Sequence, residues 1–396
     1  MDSLFETQDR ILRSLNTNYE RTALGQIPFD ERAIMLLGAR GLGKTTLFLQ
    51  HLKKNFKHEA LYISLDDIYF QEHSLYETAI LFSQNKGEII LMDEVHKYPN
   101  WSIEVKNIYD LIPNMKMLIT GSSILELEKS KADLSRRILN FDLPELSFRE
   151  FLGIQHKLNL KNYPLNDIIA HHREIAESLL KEIDKPLFYF KQYLEWGAYP
   201  FFKETKYMHQ RLKQTINLII DFDLPHIFPM EQHSLGLLKR LLYIIAQSVP
   251  YTPNVNKLAA TLGCTRNTLY NMLKILQSAK LIYGLYHSSD DIHGLAKPEK
   301  IFLHNTNLMY ALSERIPELG TIREMFFINM LESARHSVNY TKAGDFLINN
   351  SKIFEIGGRN KTAKQLEGLK NSYLVKDDIE TGYERTIPLW LFGFLY

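Results

Sequence analysis

Residues 33–52 read AIMLLGARGLGKTTLFLQHL. The apolar run Ala33–Leu37 predicts a buried β-strand, and Thr46–Leu52 predicts an amphipathic helix. Between them, Gly38–Thr45 matches the pattern G-x-x-x-x-G-K-[ST], which arises by chance in about one or two per cent of chains of this length. Because a strand enters the motif and a helix leaves it, the stretch predicts an α/β sheet with a phosphate-binding loop (P-loop) at the end of one strand.

Apolar runs and helical stretches alternate in the same way through the first 150 residues, which is the pattern of a parallel sheet covered by helices. The predicted strands are 33–37, 60–65, 88–92, 115–120 and 138–143, and the predicted helices are 45–56, 75–84, 103–112 and 124–134.

The residue types of this loop match the needs of a polyphosphate. Glycines let backbone N–H groups approach phosphate oxygens closely, and the following helix presents its positive end to the same anion. We expect Lys44 to supply a cation to the β and γ phosphates and the Thr45 hydroxyl to bind Mg²⁺. The residues expected to contact the nucleotide are Gly38, Ala39, Arg40, Gly41, Leu42, Gly43, Lys44, Thr45 and Thr46.

A second apolar strand, Glu88–Met92, ends at two neighbouring carboxylates, Asp93 and Glu94. An acid at such a strand end holds Mg²⁺ through water in P-loop proteins, and we assign that role to Asp93. Glu94 is predicted to orient or deprotonate the attacking water. Together with Lys44 and Thr45, these residues predict ATP and Mg²⁺ as ligands and hydrolysis as the reaction.

A third apolar strand, Met117–Ile119, leads into the hydroxyl-rich turn Thr120–Ser123. We take Ser122 as the candidate sensor of the γ-phosphate or of the water, and Thr120 and Ser123 remain open for the same role. The same residues are also favourable for a turn and for capping a helix.

Two arginines, Arg136 and Arg137, follow the next predicted helix. Arg137 is the candidate arginine finger, a cation that reaches the phosphate of a neighbouring subunit, and this role requires a homo-oligomer. The alternative is that both arginines balance the negative end of a helix.

The composition bounds the remaining possibilities. The chain has 396 residues, of which 45% are hydrophobic and 23% charged, so we expect a globular protein of about two to four domains. A net charge of +1 argues against coating nucleic acid by bulk electrostatics. One cysteine, Cys264, excludes an intrachain disulfide, and we find neither a secretory leader nor an apolar run long enough to cross a bilayer. We expect a cytoplasmic protein that does not associate with a membrane.

A helix–turn–helix pattern lies further along the chain. Val255–Leu262 and Arg266–Ala279 are predicted helices around a tight turn, and Leu281–Tyr286 is a predicted strand. The second helix is a candidate for the major groove of double-stranded DNA, although such units also contact proteins. The side chains that favour DNA are Lys257, Thr265, Arg266, Asn267, Asn271, Lys274 and Lys280.

These motifs resemble those of prokaryotic AAA-type ATP-binding proteins in which an ATPase core is joined to a carboxyl-terminal domain of uncharacterised function. The resemblance runs nearly end to end. The segments that carry it are Leu91–His96 with Tyr98–Trp101, Thr120–Ser123, Leu146–Phe151, Gly197–Pro200 and Pro388–Tyr396. One departure is Arg136, where the family usually has a glycine before the arginine matched by Arg137.

The resemblance implies an α/β fold in four parts. We expect an AAA-type P-loop parallel-sheet core at 1–152, a helical domain at 153–233, a winged helix at 234–290 and a restriction-endonuclease-like domain at 291–396. In that last fold two carboxylates and a lysine act together to bind Mg²⁺ and to polarise a phosphodiester, and the matching acids are Glu324, Asp345 and Glu355. The matching lysine position is Gly357, and neither Arg359 nor Lys361 is expected to replace it, so we predict an inactive nuclease.

The leading functional hypothesis is an ATP-driven conformational switch or remodeller acting on an unidentified protein partner. The alternative is a DNA-binding regulator that uses ATP as a ligand with little turnover. A third hypothesis, an ATP-gated nuclease, is disfavoured by Gly357.

Overall fold

The computed structural model describes residues 1–56, 59–123, 134–228, 230–287 and 297–396. The predicted helix Ile124–Leu134 falls almost entirely outside these ranges, as does the end of the predicted unit 234–290. Among the described residues, none of the helices combines the length and apolar character that a membrane span requires.

The helices and strands follow in chain order. The α-helices are α1 (Asp2–Ser14), α2 (Lys44–Asn55), α3 (Leu75–Gln84), α4 (Trp101–Leu111), α5 (Phe148–His156), α6 (Leu165–Leu179), α7 (Pro186–Gln192), α8 (Met208–Leu218), α9 (Leu224–Ile227), α10 (Gln232–Ala246), α11 (Val255–Leu262), α12 (Arg266–Ser278), α13 (Thr306–Leu312) and α14 (Leu319–Ser333). The strands are β1 (Ala33–Gly38), β2 (Ala60–Ser64), β3 (Ile89–Asp93), β4 (Lys116–Ser122), β5 (Leu139–Asp142), β6 (Ile282–Leu285), β7 (Lys300–Leu303), β8 (Val338–Asn339), β9 (Phe346–Ile348), β10 (Lys352–Gly357), β11 (Ser372–Lys376) and β12 (Thr386–Pro388).

The chain forms two compact units, and each is discontinuous in sequence. The first unit comprises Met1–Pro144 and Asn217–Glu231, and the second comprises Glu145–Ile216 and Gln232–Tyr396. A short segment distant in sequence therefore completes the unit that carries the P-loop. The division into four domains at 1–152, 153–233, 234–290 and 291–396 stays a prediction.

The first unit is built on a parallel sheet with the strand order β2-β3-β4-β1-β5. All five strands predicted for this region are confirmed, with ends shifted by one or two residues. The predicted helices at 45–56, 75–84 and 103–112 are confirmed as α2, α3 and α4. The inner strands β1, β3 and β4 are buried almost throughout, as continuous apolar runs in a parallel sheet should be.

The strand order positions the candidate site. Strand β4 lies between β1, which leads into the P-loop, and β3, which ends at Asp93. Within this register Thr120 is opposite Leu36, and Ser122 is opposite Gly38. The hydroxyls of β4 therefore lie between the P-loop and the strand-end acids, at the carboxyl edge where open α/β sheets bind ligands.

The second unit contains a mixed sheet with the strand order β12-β11-β10-β9-β8, in which β10, β11 and β12 are parallel and β8 and β9 are antiparallel to their neighbours. Helix α14 packs against this sheet, and the Phe327 ring lies 5.2 Å from Phe354 and 4.7 Å from Phe392. Helices α11 and α12 and strand β6 confirm the elements predicted at 255–286, and β6 pairs antiparallel with β7. That these elements form a winged helix stays a prediction.

Candidate nucleotide site

At three positions, Gly38, Gly41 and Gly43, the P-loop backbone has a conformation or a close contact that favours glycine. Gly43 precedes α2 in the left-handed conformation at φ 84°, and Gly41 has φ 86°. At Gly38 a Cβ atom would lie 2.6 Å from the carbonyl oxygen of Leu143, which is too close for any other residue. The glycines of the motif therefore serve the tight turn and the close approach of Leu143, which follows β5, as well as the expected phosphates.

Lys44 is turned onto its own loop. Its Nζ donates hydrogen bonds to the carbonyl oxygens of Gly38 at 2.9 Å and Ala39 at 3.0 Å, and the residue is 7% exposed. Burial lowers the pKa of Lys44, while the nearby carboxylates of Glu94 and Asp93 act against that change. The ammonium group is thus held inside the loop, where the motif places the β and γ phosphates.

Asp93 receives hydrogen bonds from three hydroxyl groups. Thr45 Oγ1 donates to Asp93 Oδ1 at 2.8 Å, Tyr62 donates to Oδ2 at 3.1 Å, and Thr120 donates to Oδ1 as well. Burial raises the pKa of this carboxyl, and the hydrogen bonds from Thr120 and Thr45 oppose the rise. A carboxylate beside a threonine hydroxyl is an oxygen set of the kind that Mg²⁺ prefers, so the residues present fit a magnesium site.

Thr120 connects the two acids. Its side chain is fully buried, it donates to Asp93, and it accepts a hydrogen bond from the backbone N–H of Glu94 at 3.2 Å. Ser122 and Ser123 are also buried, at 9% and 4% exposure. Thr120, one of the three hydroxyls that the sequence left open, binds the carboxylate of Asp93 and the backbone N–H of Glu94, whereas Ser122 lies opposite Gly38 in the sheet register.

Glu94 has an unusual backbone and a histidine neighbour. It adopts the left-handed conformation at φ 53°, which is uncommon for a residue with a side chain. Its Oε2 lies 3.3 Å from Nε2 of His96, and Nε2 lies 3.8 Å from Oδ1 of Asp223. The Glu94 side chain is 24% exposed, so the carboxylate predicted to act on water is accessible at the edge of the site.

Arg40, the third residue of the P-loop, is bound by Asp223. Its Nη1 lies 2.8 Å and 3.0 Å from the two carboxylate oxygens. Asp223 ends the π-helical turn Ile219–Asp223 in the segment that returns to the first unit. Burial acts to raise the pKa of Asp223, but the neighbouring His96 and Arg40 outweigh it, so the pKa lies below its usual value.

The candidate arginine finger has a partner within its own chain. Arg137 Nε and Nη2 lie 2.8 Å and 3.0 Å from the carboxylate oxygens of Asp110 on α4. Arg136 is exposed. The structure therefore gathers Lys44, Thr45, Asp93 and Glu94 at one edge of the sheet and places Arg137 in an ion pair on α4.

Sequence reasoning missed several residues of this site. His96 and Tyr62 lie near the predicted acids, but nothing in their local pattern marks them. Arg21 is 7% exposed and donates from Nη1 to the carbonyl oxygens of Pro144 at 2.9 Å and Leu42 at 3.4 Å, which supports the loop from behind. Asp223 is far from the loop in sequence and carries no motif.

The helix pair α11–α12 in the second unit borders a recess of about 710 Å³, and six of its lining residues are Asn254, Asn256, Arg266, Asn267, Tyr270 and Lys297. The exposed basic residues near it, here called the helix-pair cations, are Lys257, Arg266, Lys274 and Lys297. Lys280 was expected to join them, but it forms an ion pair with Glu332 at 3.1 Å. Thr265 caps α12 by accepting from the N–H of Thr268.

The acids predicted in the endonuclease-like domain lie near one another. Burial raises the pKa of Glu324 to about 7, Lys300 opposes the rise, and Asp345 and Glu355 add to it. Active nucleases of this fold have a lysine at the position of Gly357, and neither Arg359 nor Lys361 was expected to take its place. For Lys361 that expectation is wrong. A Cβ at Gly357 would lie 2.5 Å from Lys361 Cβ, and Lys361 Nζ binds Glu355. Across the part of the chain that the structure describes, no group of three or more His, Cys, Asp or Glu residues is arranged to hold a metal.

Comparison with known proteins assigns part of the chain. Residues 30–152 match the family model described as an AAA domain, and residues 187–319 match a domain of unknown function, DUF8612. Residues 30–152 are therefore similar to an AAA domain, which supports the resemblance drawn from the motifs for that region. The endonuclease-like fold of the carboxyl-terminal part stays a prediction.

Two uncharacterized proteins of Methanocaldococcus jannaschii are similar in sequence. One is 27% identical over 285 residues, which cover 68% of this chain and 59% of the relative. The other is 26% identical over 273 residues, which cover 64% of this chain and 56% of the relative. The matches span less than two thirds of the length of either relative.

Solved structures with a detectable likeness include RuvB of Thermotoga maritima and DnaA of Aquifex aeolicus with bound AMPPCP. The RuvB comparison gives 16% identity and a TM-score of 0.26, covering 72% of this chain and 89% of RuvB. The DnaA comparison gives 14% identity and a TM-score of 0.27, covering 70% and 88%. The AAA assignment rests instead on the family match and on the P-loop with its strand-end acids.

Proposed function

We propose that this chain is an AAA-type, Mg²⁺-dependent ATPase that acts as a conformational switch or remodeller of a macromolecular partner. The observation that carries the proposal is the 2.8 Å hydrogen bond between Thr45 and Asp93. It brings the P-loop hydroxyl and the strand-end carboxylate into one site, which is the arrangement expected of two groups that share a metal ion with the phosphates of a nucleotide.

Nucleotide binding begins with the loop. The N–H groups of residues 41–46 and the positive end of α2 attract the phosphates. Lys44 then exchanges the carbonyl oxygens of Gly38 and Ala39 for phosphate oxygens, which are stronger partners for a buried ammonium group. Thr45 directly, and Asp93 through water, would hold Mg²⁺, which offsets negative charge on the phosphates when it is bound.

Hydrolysis requires a base beside the attacking water. Glu94 is the partly exposed carboxylate at this edge, and Thr120 fixes its backbone while also binding Asp93. We assign Glu94 to accept the proton of the water and Thr120 to keep the two acids in register. Ser122 and Arg137 keep their proposed roles as sensor and as a finger in an oligomer, and Arg137 must leave Asp110 to act in a neighbouring subunit.

The test compares phosphate release and nucleotide binding in wild type, Lys44→Ala and Glu94→Gln. Lys44→Ala is expected to bind ATP poorly. Glu94→Gln is expected to bind and retain ATP while turnover falls about 100-fold or more, since it removes a general base. Lys54→Ala is the control. Lys54 lies on α2, the helix that begins at Lys44, and its side chain is 65% exposed, so this variant should match wild type. Equal phosphate release in all variants would refute the proposal.

A DNA-binding regulator remains the second candidate, because Arg266 and Lys297 of the helix-pair cations line the recess beside α11 and α12, and the other two lie exposed on these helices. Retention of a duplex on a filter, measured with and without ATP in wild type and Glu94→Gln, separates the two functions. Binding of DNA without measurable ATP turnover would favour the regulator.

A further inference from the structure

His96 is a buried residue with unusual surroundings. It is 5% exposed, and neither of its ring nitrogens makes a hydrogen bond within the described residues. A buried imidazole whose nitrogens make no hydrogen bond is costly, so such a residue calls for an explanation. Its Nε2 lies between two carboxylates, 3.3 Å from Glu94 Oε2 and 3.8 Å from Asp223 Oδ1.

The ion pair with Arg40 prevents Asp223 from accepting a hydrogen bond from His96. Both of its oxygens lie within 3.0 Å of Arg40 Nη1, whereas 3.8 Å from His96 is too long for a hydrogen bond. Arg40 belongs to the loop that is proposed to bind phosphate, and its side chain is 30% exposed. A bound polyphosphate therefore competes with Asp223 for this guanidinium.

We propose that Arg40, Asp223 and His96 form a relay that reports nucleotide binding to Glu94. When phosphate draws Arg40 away, Asp223 is free to accept a hydrogen bond from His96, and His96 then moves off Glu94. Glu94 is thereby released to bind the attacking water. Asp223 and His96 are positioning residues in this scheme, and the inference rests on the proposed ATPase function.

The scheme predicts that affinity and turnover change in opposite directions. In Asp223→Asn the charge that neutralises Arg40 is lost, so Arg40 attracts phosphate more strongly, and we expect the Kd for Mg-mant-ATP to fall about three- to tenfold. The amide is a weaker acceptor for His96 than the carboxylate, so Glu94 stays restrained and kcat falls about tenfold. A merely structural role would weaken binding and turnover together.

Two further variants locate the effect. In the double variant Arg40→Gln/Asp223→Asn the gain in affinity should vanish, because it depends on Arg40, while the loss in kcat should persist. Glu231→Gln removes one negative charge from an exposed position of the same segment and should match wild type in Kd and kcat.

The outcomes distinguish failure of the relay from failure of the proposed function. If wild type shows no turnover that depends on Lys44, the ATPase proposal falls. If wild type hydrolyses ATP but the Kd of Asp223→Asn stays within about twofold of wild type, the relay is refuted and the ATPase proposal stands. The same conclusion holds if the double variant Arg40→Gln/Asp223→Asn shows as large a fall in Kd as Asp223→Asn alone. Should Asp223→Asn not fold, Arg40→Gln tests the relay from its exposed side. KM should rise because a phosphate contact is lost, while kcat should stay within about twofold of wild type, since Asp223 is already free when ATP is bound. A tenfold fall in kcat would overturn the relay.

Discussion

Thr120→Val removes one hydroxyl and keeps the shape of the side chain. The hydroxyl donates to the buried carboxylate of Asp93 and accepts from the N–H of Glu94 at 3.2 Å. A hydrogen bond to a charged group contributes about 1.5–3 kcal/mol, and a buried N–H left without a partner costs about 1–3 kcal/mol. After allowing for the apolar gain of the new methyl group, we expect the opening free energy of β3 and β4 to fall by about 2–4 kcal/mol.

Hydrogen exchange followed by mass spectrometry on peptides from β3 and β4 measures this quantity. Thr78→Val is the matched control. The Thr78 side chain is 1% exposed and donates to the neutral carbonyl of Ser74 at 2.8 Å, so its loss should lower stability by only about 1 kcal/mol. Thr120→Ser keeps the hydroxyl and should lose about 1 kcal/mol through its missing methyl group. The reasoning is refuted if Thr120→Val loses no more than Thr78→Val, or if the valine and serine variants behave alike.

Two other predictions concern the second unit. The pKa of Glu324 is about 7, above that of a glutamate in the unfolded chain, because the side chain is buried; Lys300 opposes the rise, and Asp345 and Glu355 add to it. Ionisation of Glu324 therefore destabilises the fold as pH rises from about 4.5 to 7. Glu324→Gln should exceed wild type in unfolding free energy by about 3 kcal/mol at pH 8 and equal it at pH 4 in urea titrations; a difference independent of pH would contradict this. If the helix-pair cations bind duplex DNA, log K should fall with log salt at a slope of about −3 to −4, and a flat dependence counts against DNA.

The parts of the fold that local sequence specifies were predictable. The inner strands β1, β3 and β4 are built on continuous apolar runs, and the P-loop motif fixes both the strand before it and the helix after it. The same holds for α11 and α12, where Asn254 and Thr265 cap the helices and Gly263 ends the first.

Contacts between distant residues were not predictable from one sequence. The partner of Arg40 is 183 residues away, and an aspartate inside a helical stretch gives no sign of it. Lys361 shows a different limit: strand alternation assigns faces only within a strand, whereas a long side chain beyond the strand end reaches back over Gly357. The choice of Thr120 over Ser122 as the residue joining the acids depended on the pairing of β3, β4 and β1, which single strands do not specify.

The segment Asn217–Glu231 has a consequence for how the protein is made. A ribosome releases β1 to β5 first, but Asp223 emerges only after residues 145–216, which belong to the other unit. Until then Arg40 lacks its ion-pair partner, so a nascent chain can form the sheet yet not the finished surroundings of the P-loop. Synthesis thus delays completion of the candidate site until the first 72 residues of the second unit, 145–216, have been made, and a truncation before residue 217 leaves the sheet without Asp223.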